Sequence, residues 1–116
     1  MADSPLRVAI VEDDPLLRDS LRALFAGSPG FAFAAAAASI EESLRWPLVT
    51  APQVLLVDIH LPGMEGSAGV VPLLARWPAA RALMHTVYEE DDKVFASLCN
   101  GAVGYILKRT PAARLS

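Results

Sequence analysis

The sequence predicts an α/β domain in which a parallel sheet carries helices on both faces. Two observations predict it. Five short apolar runs alternate with segments whose apolar residues recur at helical spacing, and strands separated by helical crossovers pair in parallel. Polar residues able to do chemistry then gather where the runs end: Glu12, Asp13 and Asp14 after the first, Asp58 closing the third, Thr86 closing the fourth and Lys108 after the fifth. In an open parallel sheet these ends all lie at the carboxyl edge, where ligands bind.

Each element has its own signal. Residues 7–11 (RVAIV) are short, β-branched and bounded by polar residues, and read as a buried strand. Asp14 followed by Pro15 is an N-cap with proline at the first helical position. Leu17, Leu21, Leu24 and Phe25 then fall on one face of a helix that stops at 27–30 (GSPG). Residues 31–39 (FAFAAAAAS) are ambiguous, because alanine favours helix while position and Phe spacing favour the second strand, which is the reading adopted. Ser39 and Glu42 form the Ser-x-x-Glu capping box of a short helix that runs toward Trp46 and ends before Pro47.

Residues 53–58 (QVLLVD) read as the third strand and about 67–77 as the third helix. Pro72 predicts a late start or a kink there, since an interior proline breaks a helix. Residues 81–86 (RALMHT) are the fourth strand. Glu89, Glu90, Asp91 and Asp92 then put negative charge on the first turn of a fourth helix, where the macrodipole favours it. Val94, Phe95 and Leu98 give that helix its apolar stripe, Asn100-Gly101 its C-cap, and 103–107 (VGYIL) the fifth strand.

Composition narrows the function. At 116 residues, 53% apolar and 20% charged, the chain fits one domain with a real core. A net charge of -3 offers no basic footprint, so this segment is not expected to bind nucleic acid directly. Cys99 is the only cysteine, which rules out an internal disulfide or a cysteine-rich zinc site and suits a reducing compartment; it reads as a small apolar helix residue. No run approaches the ~20 apolar residues of a membrane span, and the N-terminus lacks a signal-peptide core. A cytoplasmic location is expected.

Several carboxylates in one crevice repel each other unless a cation sits among them. Oxygen donors of this kind suit Mg2+, which is typically held by one or two carboxylates plus a phosphate. That points to phosphoryl chemistry, in which an aspartate can itself be the nucleophile and form an acyl phosphate. Asp58 would attack phosphorus, the acids would hold Mg2+, Lys108 would supply an ammonium and Thr86 a hydroxyl.

The segments VAIVEDDPLLR, VLLVDIHLPGMEG, MHTVYEE and NGAVGYILK resemble, in order and spacing and nearly from end to end, the receiver domain of bacterial two-component response regulators. The last segment is most similar to receivers that precede LuxR/NarL-type helix-turn-helix domains. The resemblance implies a flavodoxin-like, doubly wound sheet of five parallel strands in order 2-1-3-4-5 flanked by five helices. It implies that Asp58 is the phosphoacceptor, and that Glu12 and Asp13 hold Mg2+ with Asp58 and the backbone carbonyl of His60. Thr86 and Lys108 would engage the phosphoryl group, and Tyr105 would change rotamer with Thr86. It further implies a histidine kinase as phosphodonor, a homodimer or effector partner on the fourth-helix and fifth-strand surface, and DNA reached only through an output domain.

The chain also departs from the family pattern. Val87 is branched where the family usually has a small residue, and would hinder donors or the inward movement of Thr86. His60 and Tyr88 occupy the two places that tune phosphoryl lifetime, so an atypical dephosphorylation rate is expected. Only RTPAARLS follows Lys108, so the fifth helix is expected to be missing or truncated and the chain to be the N-terminal part of a longer one.

Plainer readings stand beside these. Asp14 is a structural N-cap. Taken singly, Thr86 is a strand residue, Lys108 a surface lysine, Tyr105 a rim aromatic, His60 and His85 scattered histidines, and Trp46 and Trp77 packing residues. Two other functions compete. A phosphohydrolase of the haloacid dehalogenase kind needs a second aspartate two residues beyond the nucleophile, where this chain has His60. A flavodoxin-like nucleotide or flavin carrier cradles phosphate on a Gly- or Ser/Thr-rich loop after the first strand, and here that loop is EDDP, which repels it. The sequence therefore predicts a phosphorylatable switch and not an enzyme.

Overall fold

The computed structural model describes residues 4–47, 51–87 and 92–108. Its strands are β1 (Leu6–Val11), β2 (Phe31–Ala37), β3 (Val54–Asp58), β4 (Arg81–Thr86) and β5 (Gly104–Leu107). They form one parallel sheet in the order β2-β1-β3-β4-β5, as expected. Four helices lie among the described residues: α1 (Pro15–Gly27), α2 (Ile40–Ser43), α3 (Gly66–Arg76) and α4 (Asp92–Cys99). None is long and apolar enough to cross a membrane.

A parallel sheet buried on both faces needs strands that are apolar on both, and the alternation along RVAIV and VLLV supplies this. Val8, Ile10 and Leu56 pack with Leu21 and Phe25 of α1 on one face. Ala9, Val11, Leu55, Val57 and Met84 pack with Ile40, Val70 and Leu73 on the other. Truncating a fully buried residue such as Leu55 to alanine would cost about 2–5 kcal/mol. The alanine run is a strand because β1 pairs with it along its length, with one irregularity between Val8 and Ala9. Tertiary pairing overrides alanine's helical preference there.

The caps are as expected. Asp14 Oδ1 accepts from the Leu16 N–H at 3.0 Å. Ser39 Oγ accepts from the Glu42 N–H at 3.1 Å, while Glu42 Oε2 reaches back to the Ala38 N–H at 3.3 Å. α2 ends at Ser43 and so stops short of Trp46. The Trp46 ring packs instead on Trp77, centroids 5.8 Å apart, and Arg76 donates to the Leu44 and Trp46 carbonyls.

Two expectations are corrected. Pro72 does not delay its helix: α3 starts at Gly66 and runs through it to Arg76. The carbonyl deprived of a helical partner belongs to Ala68, an exposed residue, so its orphaned oxygen lies where solvent can reach. The stripe Val94, Phe95, Leu98 is not one buried face. Val94 is packed with Ser97 beside it, whereas Phe95 is 70% exposed and Leu98 is exposed too. Cys99 is a helix residue as read, closing α4, and is exposed. Tyr88, Glu89, Glu90, Asp91 and the 109–116 segment that bears on the fifth helix lie outside the described residues.

Candidate functional site

Val11 pairs with Val57, so the next residue on each strand, Glu12 and Asp58, leaves the sheet side by side. Both are buried, at 1% and 2% exposure. Asp13 stands exposed beside them, and carboxylate oxygens of Glu12, Asp13 and Asp58 converge within 4.8 Å of one another. Lys108 leaves β5 with its N–H donating to the Thr86 carbonyl at 2.6 Å. Its Nζ then lies 3.1 Å from Asp58 Oδ2 and 3.2 Å from Glu12 Oε1. The four residues that the sequence places at the ends of three strands thus meet in one pocket.

The loops around the pocket are tied down. Arg18 of α1 donates to the Glu12 carbonyl at 2.9 Å, fixing the acidic turn. The His60 N–H donates to Asp58 Oδ1 at 3.1 Å, and the Gly66 N–H donates to the Ile59 carbonyl at 2.9 Å. Gly63 turns the chain at φ +74, and Glu41 of α2 accepts from the Met64 N–H at 3.1 Å. A β carbon on Gly66 would lie 1.9 Å from the Asp58 carbonyl oxygen. Arg18, Glu41 and Gly66 were not legible as site residues, although the glycine ending PGMEG was a usable signal.

Burial, reinforced by the charge of Glu12, pushes the Asp58 carboxyl up to about 7 against the pull of Lys108. Burial also works upward on Glu12, but His85, the Asp14 N–H and Lys108 outweigh it and hold that carboxyl down to about 2. Lys108 is raised despite its own burial, because Asp58 and Glu12 favour its charge. Two carboxylates crowding one pocket cannot both ionise cheaply with only one ammonium between them. A divalent cation relieves that conflict. The donors are hard oxygens, and the fit to Mg2+ is therefore good.

Thr86 and Tyr105 lie on the other face of the sheet. Asp58 pairs with His85, so Thr86 falls one step further and opposite in direction. Tyr105 pairs with Met84 and shares the face of Thr86. Thr86 is fully buried, Tyr105 is 40% exposed, and Val87 and His60 are exposed.

From the sequence His85 is only a scattered histidine. It is 2% exposed, and its Nδ1 stands 3.7 Å from Glu12 Oε1, a polar contact too long for a hydrogen bond. Strand alternation alone, which puts positions 58 and 85 on one face, was the signal available.

A family model described as "Response regulator receiver domain" matches residues 8–116. The chain is 33% identical over 110 residues to the response regulator GacA of Pseudomonas viridiflava, covering 95% of this chain and 51% of the relative. It is 26% identical over 104 residues to the nitrate/nitrite response regulator protein NarL of Escherichia coli, covering 90% and 48%. Among solved structures, a LuxR-family two-component response regulator from Aurantimonas sp. SI85-9A1 superposes with a TM-score of 0.84 at 31% identity, over 97% of this chain and 80% of that one. The chain spans about half the length of these two sequence relatives.

Proposed function

Because the chain belongs to the response regulator receiver domain family, we propose that it is a phosphoacceptor switch in a two-component phosphorelay. The observation that carries the reading is the buried Asp58 carboxylate held 3.1 Å from Lys108 Nζ beside the Glu12 and Asp13 oxygens. An Asp58 oxygen attacks the phosphorus of a phosphohistidine on a histidine kinase. The new P–O bond forms as the P–N bond breaks, leaving an aspartyl phosphate here and a free imidazole on the donor.

Glu12, Asp13, Asp58 and the His60 backbone carbonyl would hold Mg2+, which when bound offsets negative charge on the transferring group. Lys108 pairs with one phosphoryl oxygen and the Thr86 hydroxyl donates to another. Tyr105, on the face of Thr86 and half out in solvent, follows that inward movement. The partly exposed apolar residues of α4 and β5, Phe95, Leu98 and Tyr105, then present an altered surface to a second copy or an effector.

His60, whose N–H donates to Asp58 Oδ1, and Tyr88 give this receiver an atypical dephosphorylation rate, while the exposed Val87 hinders donors or the inward movement of Thr86. In a longer, cytoplasmic chain the switch would govern an output domain that controls transcription, and any DNA contact would belong to that domain. The receiver itself is then a phosphorylated signalling module and not an enzyme.

Intact mass after incubation with acetyl phosphate and Mg2+ tests this. A hydroxylamine-labile gain of one phosphoryl group in the wild type, absent in Asp58→Asn, is the expected result. No gain in folded protein that binds Mg2+ would overturn it.

A further inference from the structure

Glu12 Oε1 and His85 Nδ1 are buried side-chain atoms with no hydrogen-bond partner among the described residues, and they face each other at 3.7 Å. Both side chains are more than nine-tenths buried. A buried polar atom without a hydrogen bond costs about 1–3 kcal/mol; the ion pair with Lys108 offsets this for Glu12 Oε1, whereas His85 Nδ1 faces that oxygen and has no other described partner. Lys108 does not provide the missing bond: its Nζ donates to Asp58 Oδ2 and Glu12 Oε2 and touches Oε1 only as an ion-pair contact.

We propose that His85 is a positioning residue for Glu12, carrying its ring proton on Nδ1 and, once the 3.7 Å gap closes to hydrogen-bond distance, donating it to Glu12 Oε1. The proposal rests on the Mg2+ reading above only for its functional consequence. Of the two neutral tautomers, the one with a bare Nδ1 would aim a lone pair at a carboxylate oxygen. The Nδ1–H tautomer complements that oxygen instead.

The ring is well held for the task. β4 places His85 in register between Asp58 and Ile106, and its carbonyl accepts from the Ile59 N–H at 3.2 Å. Glu12 is meanwhile tethered through Oε2 by the Asp14 N–H at 3.1 Å. With His85 on Oε1, both oxygens are fixed and the carboxylate plane is set toward the acid cluster. The imidazole stands beside the convergent oxygens of Glu12, Asp13 and Asp58 and is not one of their number. Partners of this outer kind orient metal-ligating carboxylates, and their removal typically weakens metal binding about 10–100-fold.

Nitrogen-15 imidazole spectra of the metal-free protein at pH about 8.5, above the ordinary histidine range, read the tautomer directly. The His85 signals are assigned by their loss in His85→Asn. A protonated Nδ1 with a bare Nε2 is expected, and the reverse assignment would overturn the proposal. Calorimetric titration with MgCl2 reads the consequence. His85→Val is expected to bind at least ~10-fold more weakly, and His85→Asn, whose amide nitrogen takes the place of Nδ1, to stay within about threefold of wild type. Wild-type affinity in a folded His85→Val, or an equal loss in both variants, would overturn the positioning role. A protonated Nδ1 in a wild type that fails to bind Mg2+ would support the His85–Glu12 bond while overturning the Mg2+ reading of the site.

Discussion

Gly66 packs against the main chain of Asp58 so closely that a β carbon on it would lie 1.9 Å from the Asp58 carbonyl oxygen. The first residue of α3 and the last residue of β3 are thereby pressed together, and the turn between them runs outward at Pro62 and Gly63 while Leu61 stays packed in the core. This contact explains why a carboxylate is carried out of the core at a strand end and the chain then breaks. The strand fixes the Asp58 backbone, the returning helix clamps it from behind, and only the carboxyl end faces the pocket.

Gly66→Ala therefore has to displace either the Asp58 peptide or the first turn of α3. Overpacking of this kind costs about 1–3 kcal/mol, and the expected result is a lower denaturant midpoint together with slower acyl-phosphate formation. Gly27→Ala is the control, since a β carbon there meets nothing within 4 Å. Equal stability of the two variants would show that the close approach is not sustained in solution.

The pocket also sets a pH dependence. Asp58 keeps its proton up to about 7 in the fold, against an ordinary value of 3.8. Between those values the folded chain holds a proton that the unfolded chain has released, so stability of the metal-free protein falls as pH rises through that window. Glu12 acts in the opposite sense: held down to about 2 from 4.5, it contributes stability that is lost as pH falls through that lower range. Denaturant melts at pH 5 and pH 8 should differ by on the order of 1–3 kcal/mol in favour of pH 5. Mg2+ should close the gap, and Asp58→Asn should abolish it. A metal-free protein more stable at pH 8 than at pH 5 would refute the shift.

How much of this was legible in the sequence depends on the range of the cause. Asp14-Pro15 and Ser39-x-x-Glu42 announce their helices because caps are local. β4 was readable to the residue, from Arg81 to Thr86, because its apolar centre and polar ends are adjacent in the sequence. Pro72 misled because the cost of an interior proline depends on whether the orphaned carbonyl meets water, which only the packing of α3 decides. Phe95 misled because periodicity identifies an apolar stripe without saying what covers it. Asp58, Glu12, Asp13 and Lys108 stood out as charges at strand ends. His85 and Gly66 did not, since a histidine and a glycine acquire meaning only from the neighbour that a different strand or helix brings to them.

The α4 surface separates folding from recognition. Phe95 is 70% exposed, so Phe95→Ala should leave monomer stability within about 0.5 kcal/mol. Val94→Ala, one residue away but buried, should cost about 1–3 kcal/mol. If α4 and β5 form the partner surface, sedimentation of the phosphorylated protein should show weaker self-association for Phe95→Ala and none of the unfolding seen with Val94→Ala. Unchanged association in a protein that does self-associate would move the interface elsewhere.

Lys108 has two opposed effects on the same oxygens. Its ammonium lies 3.1 Å from Asp58 Oδ2 and 3.2 Å from Glu12 Oε1, so in the metal-free protein it is the cation that makes two buried carboxylates tolerable. The same position makes it a competitor of Mg2+ for them, a like charge a few ångströms from any ion they hold. Lys108→Met removes that repulsion, worth roughly 1–2 kcal/mol at a well-screened site, and should tighten Mg2+ binding about tenfold. It also removes the charge that pairs with the arriving phosphoryl group and lets the Asp58 carboxyl rise further above about 7, so acyl-phosphate formation at neutral pH should slow by more than tenfold, about 1.4 kcal/mol of barrier. Tighter metal with slower chemistry is a combination that general damage to the pocket cannot give. If both quantities fall together, Lys108 holds the pocket's structure and is not the phosphoryl partner.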